Sequence, residues 1–377
     1  MRITHVLKAT GLSGAEAHLL ALSTALRAEG VDSRLAVLVD RQRPPEVLLA
    51  AAQAQGVAVS QLDLASHFDL RVVPQLASLF KSTGTQVVHT HMIHGDLYGA
   101  LAARMTKLTL VQTRHNDDKF RRWLPMQLLS RLLADQAKTV IAISESLAAF
   151  VRDVEGVPGP KIVSIPYGLD PAAVTAGASP GALRAELGLG PEIPLIAAVG
   201  RLTEQKGFRY LLEALAHVWA EVPQAHLVIA GEGPLRAELA AQAAGLGDAV
   251  HFLGWRTDAP TIMADCNVLA VPSLWEGFGL VTLEAMALSK PVVASRVSAL
   301  PEIVLDGPQG TGLLVPPADP AALAAALITL LTDPAQARAR GARGHARLEK
   351  EFTVRRMARK HVTVYTEAAS RVPEFRA

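Results

Sequence analysis

Short apolar runs alternate with longer stretches of helical periodicity along the whole chain. In the first half, runs of strand length fall at residues 3–7, 35–39, 57–62, 87–89, 109–113, 139–143 and 162–165. Amphipathic segments separate most of them. The first, residues 14–29, gathers Leu19, Leu20, Leu22, Ala25 and Leu26 on one broad side. Such alternation predicts βαβ units and a parallel sheet covered on both faces. From Pro166 to Pro180 the composition shifts to Gly, Pro, Ala and Ser, which predicts an inter-domain linker. A second series follows, with strands predicted at 195–199, 225–230, 250–253, 268–271 and 291–294 and helices such as 208–220 and 234–244. Residues 318–370 read as helical, with a break at Asp333-Pro334.

Two such series predict an α/β chain of two doubly wound domains. Ligands of doubly wound sheets sit beyond the carboxyl ends of the strands, so two domains facing each other would leave a cleft suited to a site. The 377 residues suit two domains of roughly 100–200 residues each. The expected divisions are residues 1–166, a linker at 167–180, a second domain at 181–355, and a last helix at 356–377 that crosses back to the first domain.

Composition narrows the function classes. Hydrophobic residues make up 50% and charged residues 19%, which excludes general disorder. A net charge of +2 is too weak a bias for a nucleic-acid binder. Cys266 is the single cysteine, so no disulfide forms within the chain, which fits a cytoplasmic protein. It lies in an apolar run and reads as a core residue. The first residues read as a strand rather than a secretion signal, and no apolar run approaches the ~20 residues of a membrane span. Nothing in the pattern specifies an oligomeric state.

The densest candidate chemistry lies in the second series. An apolar strand ends at Pro272 and is followed by Ser273-Leu274-Trp275-Glu276-Gly277-Phe278-Gly279-Leu280-Val281-Thr282-Leu283-Glu284. Gly277 and Gly279 permit a tight turn, and helix formers follow from Leu280. Backbone N–H groups at a helix start attract phosphate. Carboxylates there repel phosphate but accept hydrogen bonds from sugar hydroxyls, so Glu276 and Glu284 suit a ligand with hydroxyls on both sides of a diphosphate. A nucleotide-sugar fits that description. Earlier, a strand ending at Val199 leads into Gly200-Arg201-Leu202-Thr203-Glu204-Gln205-Lys206-Gly207. Fixed cations in this loop would stabilise charge developing on a leaving diphosphate.

These segments together resemble the family-4 glycosyltransferases, which have the two-Rossmann GT-B architecture. The matching pieces include Gly11-Leu12-Ser13-Gly14-Ala15-Glu16, Val88-His89-Thr90-His91, Thr113-Arg114-His115, Ile165-Pro166-Tyr167-Gly168, Gly200-Arg201 with Lys206-Gly207, Gly231-Glu232-Gly233-Pro234, the Glu276 and Glu284 pair, and Pro301-Glu302. The resemblance implies a retaining, metal-independent hexosyltransferase, acting on a glycan, lipid-linked or small-molecule acceptor, as in cell-surface polysaccharide or glycoconjugate synthesis. It implies no cofactor beyond the nucleotide-sugar donor. Arg201 and Lys206 would hold the diphosphate, Glu276 the transferred sugar, and Glu284 the ribose. Gly14, Gly200, Gly277, Phe278, Gly279 and Leu280 would present backbone to the donor. Alternatives on a similar fold are a sugar-nucleotide epimerase and a non-catalytic nucleotide-sugar binding protein. Ser13, Tyr167 and Ser298-Ala299 depart from the family's usual Gly, Asn and Gly-Gly.

In the first domain, Ser13, His91, His94 and His115 are the acceptor-side candidates, and the resemblance places His115 near the transferred sugar. His89, His91 and His94 also invite a metal reading, but the expectation here is a cleft-lining role with at least one of them packed in the core, and no metal. Lys119-Phe120-Arg121-Arg122-Trp123-Leu124 precedes Met126, Leu128, Leu129, Leu132 and Leu133. Cations beside aromatics and an amphipathic helix fit peripheral contact with an anionic membrane surface. A core-facing helix with a solvated basic start fits the same residues.

Overall fold

The computed structural model describes residues 1–12, 14–66, 68–117 and 119–370, except for the side chains of Lys119 and Phe120. The chain divides into two compact units, Met1–Gly168 joined by the chain from Val354, and Leu169–Thr353.

The first unit holds seven strands: β1 (Arg2–Ala9), β2 (Asp32–Asp40), β3 (Ala58–Leu64), β4 (Val87–His91), β5 (Thr109–Arg114), β6 (Thr139–Ala142) and β7 (Ile162–Ser164). Their order is β3-β2-β1-β4-β5-β6-β7, and all pairings are parallel. The second unit holds β8 (Leu195–Val199), β9 (His226–Ala230), β10 (Val250–Gly254), β11 (Val268–Val271), β12 (Val292–Ser295) and β13 (Gly312–Val315), in the order β10-β9-β8-β11-β12-β13. These are also parallel. Every residue of β11 and β12 is buried, as expected of strands covered on both faces.

The strand order reverses between β1 and β4 in one sheet and between β8 and β11 in the other. The chain winds outward from each of these points, so the loops leaving the two central strands part and open a crevice at their carboxyl ends. The glycine-rich segments singled out in the sequence are the loops that leave β1, β8 and β11.

Three local features differ from the sequence expectation. β13 was not among the predicted strands; it runs directly into Pro316-Pro317. The stretch from Pro166 to Pro180 is not open chain. Asp170 accepts hydrogen bonds from Ala172 N and Ala173 N at 3.0 and 3.4 Å and starts a helix, Pro171–Ala176, whose first residue is the tolerated proline. The C-terminal region breaks a second time, between the helices Pro334–Glu351 and Val354–Ser370.

The last helix contributes Met357, Ala358, Val364, Tyr365 and Ala368 to a core shared with Ile3, Leu22, Val87, Val111 and Ile141 of the first unit. That sheet is unusually polar at its centre. Register sets His5 beside His89 and His91 beside Thr113. Arg114, at the end of β5, is buried between Asp96 (2.8 Å) and Glu155 (2.9 Å). Cys266 is buried and donates to the Met263 carbonyl oxygen.

Candidate active site

Two loops clasp each other at the switch point of the second sheet. After β8 the chain turns through Glu204–Lys206 into the helix Phe208–Glu221. Gly207 makes that turn possible. Its φ is +64°, and a Cβ added there would overlap the Pro272 carbonyl oxygen at the end of β11. Leu274 N donates to Gln205 O at 2.8 Å, which ties the two loops together by backbone. Gly207→Ala should therefore cost about 2 kcal/mol or more, through the left-handed φ and the displaced backbone. It should also lower activity by moving Lys206; denaturant unfolding and an initial-rate assay check the two effects.

The clasp brings two predicted site residues into contact. Lys206 Nζ lies 2.6 Å from Glu276 Oε2, with side-chain exposures of 16% and 9%. Ser273 Oγ donates to the same carboxylate oxygen at 3.2 Å, and Glu276 N donates to Ser298 Oγ at 3.2 Å. Ser298 thus holds the Glu276 backbone even though it departs from the family's usual glycine. Little water reaches this ion pair, so its charges act at lower effective dielectric than on an open surface.

Gly279, with φ at +93°, ends the turn that starts the helix Leu280–Ala287. A Cβ there would press on Leu300 Cδ2 at 2.9 Å. No side chain caps this helix, so its positive end is left to other acceptors. Gly277 is half-buried and Phe278 buried in the turn itself. Glu284 is half-buried on the helix and has no hydrogen-bond partner among the described residues, and burial pushes its carboxyl up. Thr282, which the sequence reading passed over, is fully buried in the helix's first turn, and its hydroxyl has no hydrogen-bond partner among the described residues. The signal was available: it is the third residue of a helix that follows a glycine turn. Arg201 is exposed and forms no ion pair among the described residues. Of the four charged residues singled out, only Lys206 and Glu276 touch each other.

In the first unit Gly14 opens the helix Gly14–Ala28 and is exposed. Ser13, and the side chains of Lys119 and Phe120, lie outside the described residues. His94 is half-buried in the first turn of the helix Met92–Thr106. His91 has no exposed surface, so it is a core residue and does not line a cleft. It belongs to a chain of imidazoles. Tyr167 Oη lies 2.5 Å from His115 Nδ1, His115 Nε2 lies 2.9 Å from His91 Nδ1, and His91 Nε2 lies 2.9 Å from His5 Nδ1. A neutral imidazole has one N–H and one lone pair, so every ring in this chain must donate in the same direction.

Beside the chain, His89 bonds Tyr365 Oη and Thr113 Oγ1, both at 2.7 Å. His18 stacks on Tyr167 with ring centroids 4.0 Å apart. Burial, first of all, lowers His5 and His115 to about 3 and His361 to about 4, with Arg114, then His361 and Arg121, adding to it at His115. Burial pushes His18, His89 and His91 well below the usual imidazole range. Ligand atoms of His5, His89 and His91 come within 4.8 Å of one another. All their ring nitrogens except His5 Nε2 already have hydrogen-bond partners. His5, His18, His361 and Tyr365 were not singled out in the sequence. Only the register of β1 on β4 and the packing of the last helix bring them together.

Two doubly wound parallel-sheet units, with glycine-rich loops at their switch points, are the GT-B arrangement. Residues 12–173 match the family described as Glycosyltransferase Family 4, and residues 193–333 match Glycosyl transferases group 1. The alpha-maltose-1-phosphate synthase of Mycolicibacterium smegmatis is 33% identical over 75% of this chain and 79% of its own length. The lipopolysaccharide core biosynthesis mannosyltransferase LpsB of Rhizobium meliloti is 30% identical over 69% and 72%. Anabaena HepE, in a crystal structure with UDP and glucose, superposes with a TM-score of 0.84 at 23% identity, covering 97% of this chain and 100% of that one. The chain belongs to the group 1, family-4 glycosyltransferases.

Proposed function

We propose that this glycosyltransferase moves a hexose-type sugar from a nucleoside-diphosphate donor to a hydroxyl acceptor, with retention of anomeric configuration and without a divalent metal. The contact of Lys206 with Glu276 at the β8–β11 switch point carries the reading, because it sets a cation and a carboxylate side by side next to an uncapped helix start. A diphosphate needs the cation and the helix start, and a sugar hydroxyl needs the carboxylate.

In this reading Lys206, Arg201 and the backbone at Gly279 and Leu280 stabilise the leaving diphosphate. Glu276 accepts a hydrogen bond from the sugar. Glu284, raised by burial and without a partner among the described residues, accepts one from the ribose. The bond from the anomeric carbon to the phosphate oxygen breaks, and its electron pair leaves with the diphosphate. The acceptor oxygen bonds to the carbon on the same face, and its proton passes to the leaving phosphate. No residue is needed as a base. That suits His115, whose two ring nitrogens already have protein partners. The HepE structure with UDP and glucose supports a nucleotide-sugar donor by analogy of fold. In this reading the reaction takes place in the cytoplasm.

A thermal-shift screen with UDP, GDP and ADP tests the donor. A ligand at a hundredfold excess over its Kd stabilises the folded state by about 2.7 kcal/mol, and a rise of roughly 5 °C or more is expected for the correct base. Product analysis by NMR with the donor so identified should show the new bond in the donor's anomeric configuration, formed in the presence of chelator. An inverted product, or no shift with any nucleotide, would overturn the proposal. Conversion of donor without any acceptor would identify an epimerase instead.

A further inference from the structure

The helix Leu124–Gln136 in the first unit turns an apolar row away from the protein. Leu124, Leu128 and Leu132 are 63, 55 and 63% exposed, and Trp123, just before the helix, is 67% exposed. Spacing of four residues stacks the leucines on one side. The helix buries Ser130, Leu133 and Ala134, which lie on the opposite side. The row therefore plays no part in the fold. It runs for about 12 Å along a convex helix surface.

Charge says what it meets. Residues 119–134 contain Lys119, Arg121, Arg122 and Arg131 and no acidic residue. Arg121 is occupied by buried Glu155 at 3.2 Å. Arg122 and Arg131 are exposed, Lys138 follows the helix and is exposed, and Asp135 stands at its far end. Among the described residues no helix is long and apolar enough to cross a membrane. We propose that this face docks on an anionic lipid bilayer, with the leucines and Trp123 entering the headgroup region and Arg122 and Arg131 meeting lipid phosphates. An amphipathic helix edged with cations and carrying an aromatic residue at one end fits that interface. A second copy of the chain fits it less well. An isologous pairing of this face would bring Arg122 and Arg131 of both copies together, which disfavours it.

The test is flotation of the full chain with vesicles of phosphatidylcholine alone or with one-third phosphatidylglycerol. Binding is expected on the anionic vesicles and should weaken as salt is raised. Trp fluorescence should shift to the blue in the parent and not in Trp123→Phe. L128Q combined with L132Q should reduce partitioning about a hundredfold, with an unchanged melting temperature because both side chains are already exposed. Equal flotation of parent and double variant, or no binding to either vesicle, would overturn the proposal. So would a solution dimer that the same two substitutions dissolve, since that would assign the row to a second copy. Vesicle binding is read without any sugar donor, so this result stands apart from the test of the reaction.

Discussion

Lys206→Ala is expected to lower kcat/KM about a hundredfold to a thousandfold, the usual loss when one fixed donor to a developing negative charge is removed. Lys206 is 16% exposed and sits 2.6 Å from a carboxylate that is 9% exposed. Its charge is thus held in place before any donor arrives, and no reorganisation is needed as the diphosphate leaves. The same substitution strands Glu276, which keeps its bond from Ser273 Oγ but loses its counter-ion, so some stability should be lost as well. Glu276→Gln separates the two effects. It keeps the size of the side chain and one oxygen that can still accept from Lys206 Nζ and Ser273 Oγ while removing the charge, so it should cost less stability than Lys206→Ala. Turnover should still fall sharply, because a neutral amide grips a sugar hydroxyl more weakly than a carboxylate. Initial rates over a range of donor concentrations, with melting curves for each variant, make the measurement. Turnover within threefold of the parent in both variants would remove the Lys206–Glu276 pair from the reaction.

The parts of this site that were legible in the sequence are those that depend on local chain geometry. Gly207 and Gly279 mark turns that need a positive φ. The strand-then-glycine-then-helix pattern gave both donor loops, and Lys206, Glu276 and Glu284 could be named from it. That β8 and β11 are neighbours was not legible, because strand order depends on long-range packing that no local pattern encodes. The direct contact between Lys206 and Glu276, 70 residues apart, therefore appeared only in the fold. Distance along the chain hid more in the first unit. His89 and Tyr365 are 276 residues apart, and His5 reads in sequence as one polar residue in an apolar strand. Tyr167 looked like a substituted linker residue. Its side chain is buried against His18 and ends the imidazole chain.

Mild acid is expected to unfold the first unit. His5, His18, His89, His91, His115 and His361 are all held neutral, with folded pKa values lowered by burial. In the unfolded chain each returns to about 6.5. Between the folded and unfolded values the unfolded chain therefore binds protons that the folded chain refuses, and acid favours unfolding. The stability from this source is complete above about pH 6.5 and falls as pH drops toward the folded values near 3 to 4. The surrounding groups do not reverse the sign. Arg114 and Arg121 face His115, Lys360 lies beside His361, and each opposes protonation. Among the acidic groups nearby, Glu16 acts on Tyr167, while Asp96 and Glu155 are paired with Arg114. Each histidine that stays neutral in the folded chain costs about 1.4 kcal/mol of stability per pH unit below its unfolded value, so several acting together become comparable with the whole stability of a domain. The second unit has no equivalent cluster among its described residues: its His226 and His251 form a partly exposed pair 2.9 Å apart. Hydrogen exchange at pH 5 should thus strip protection from the amides of β1 and β4 while β8 and β11 stay protected. Equal protection of both sheets down to pH 4.5 would mean that the imidazole chain takes up protons while folded, and would refute the account of these rings as neutral partners of one another.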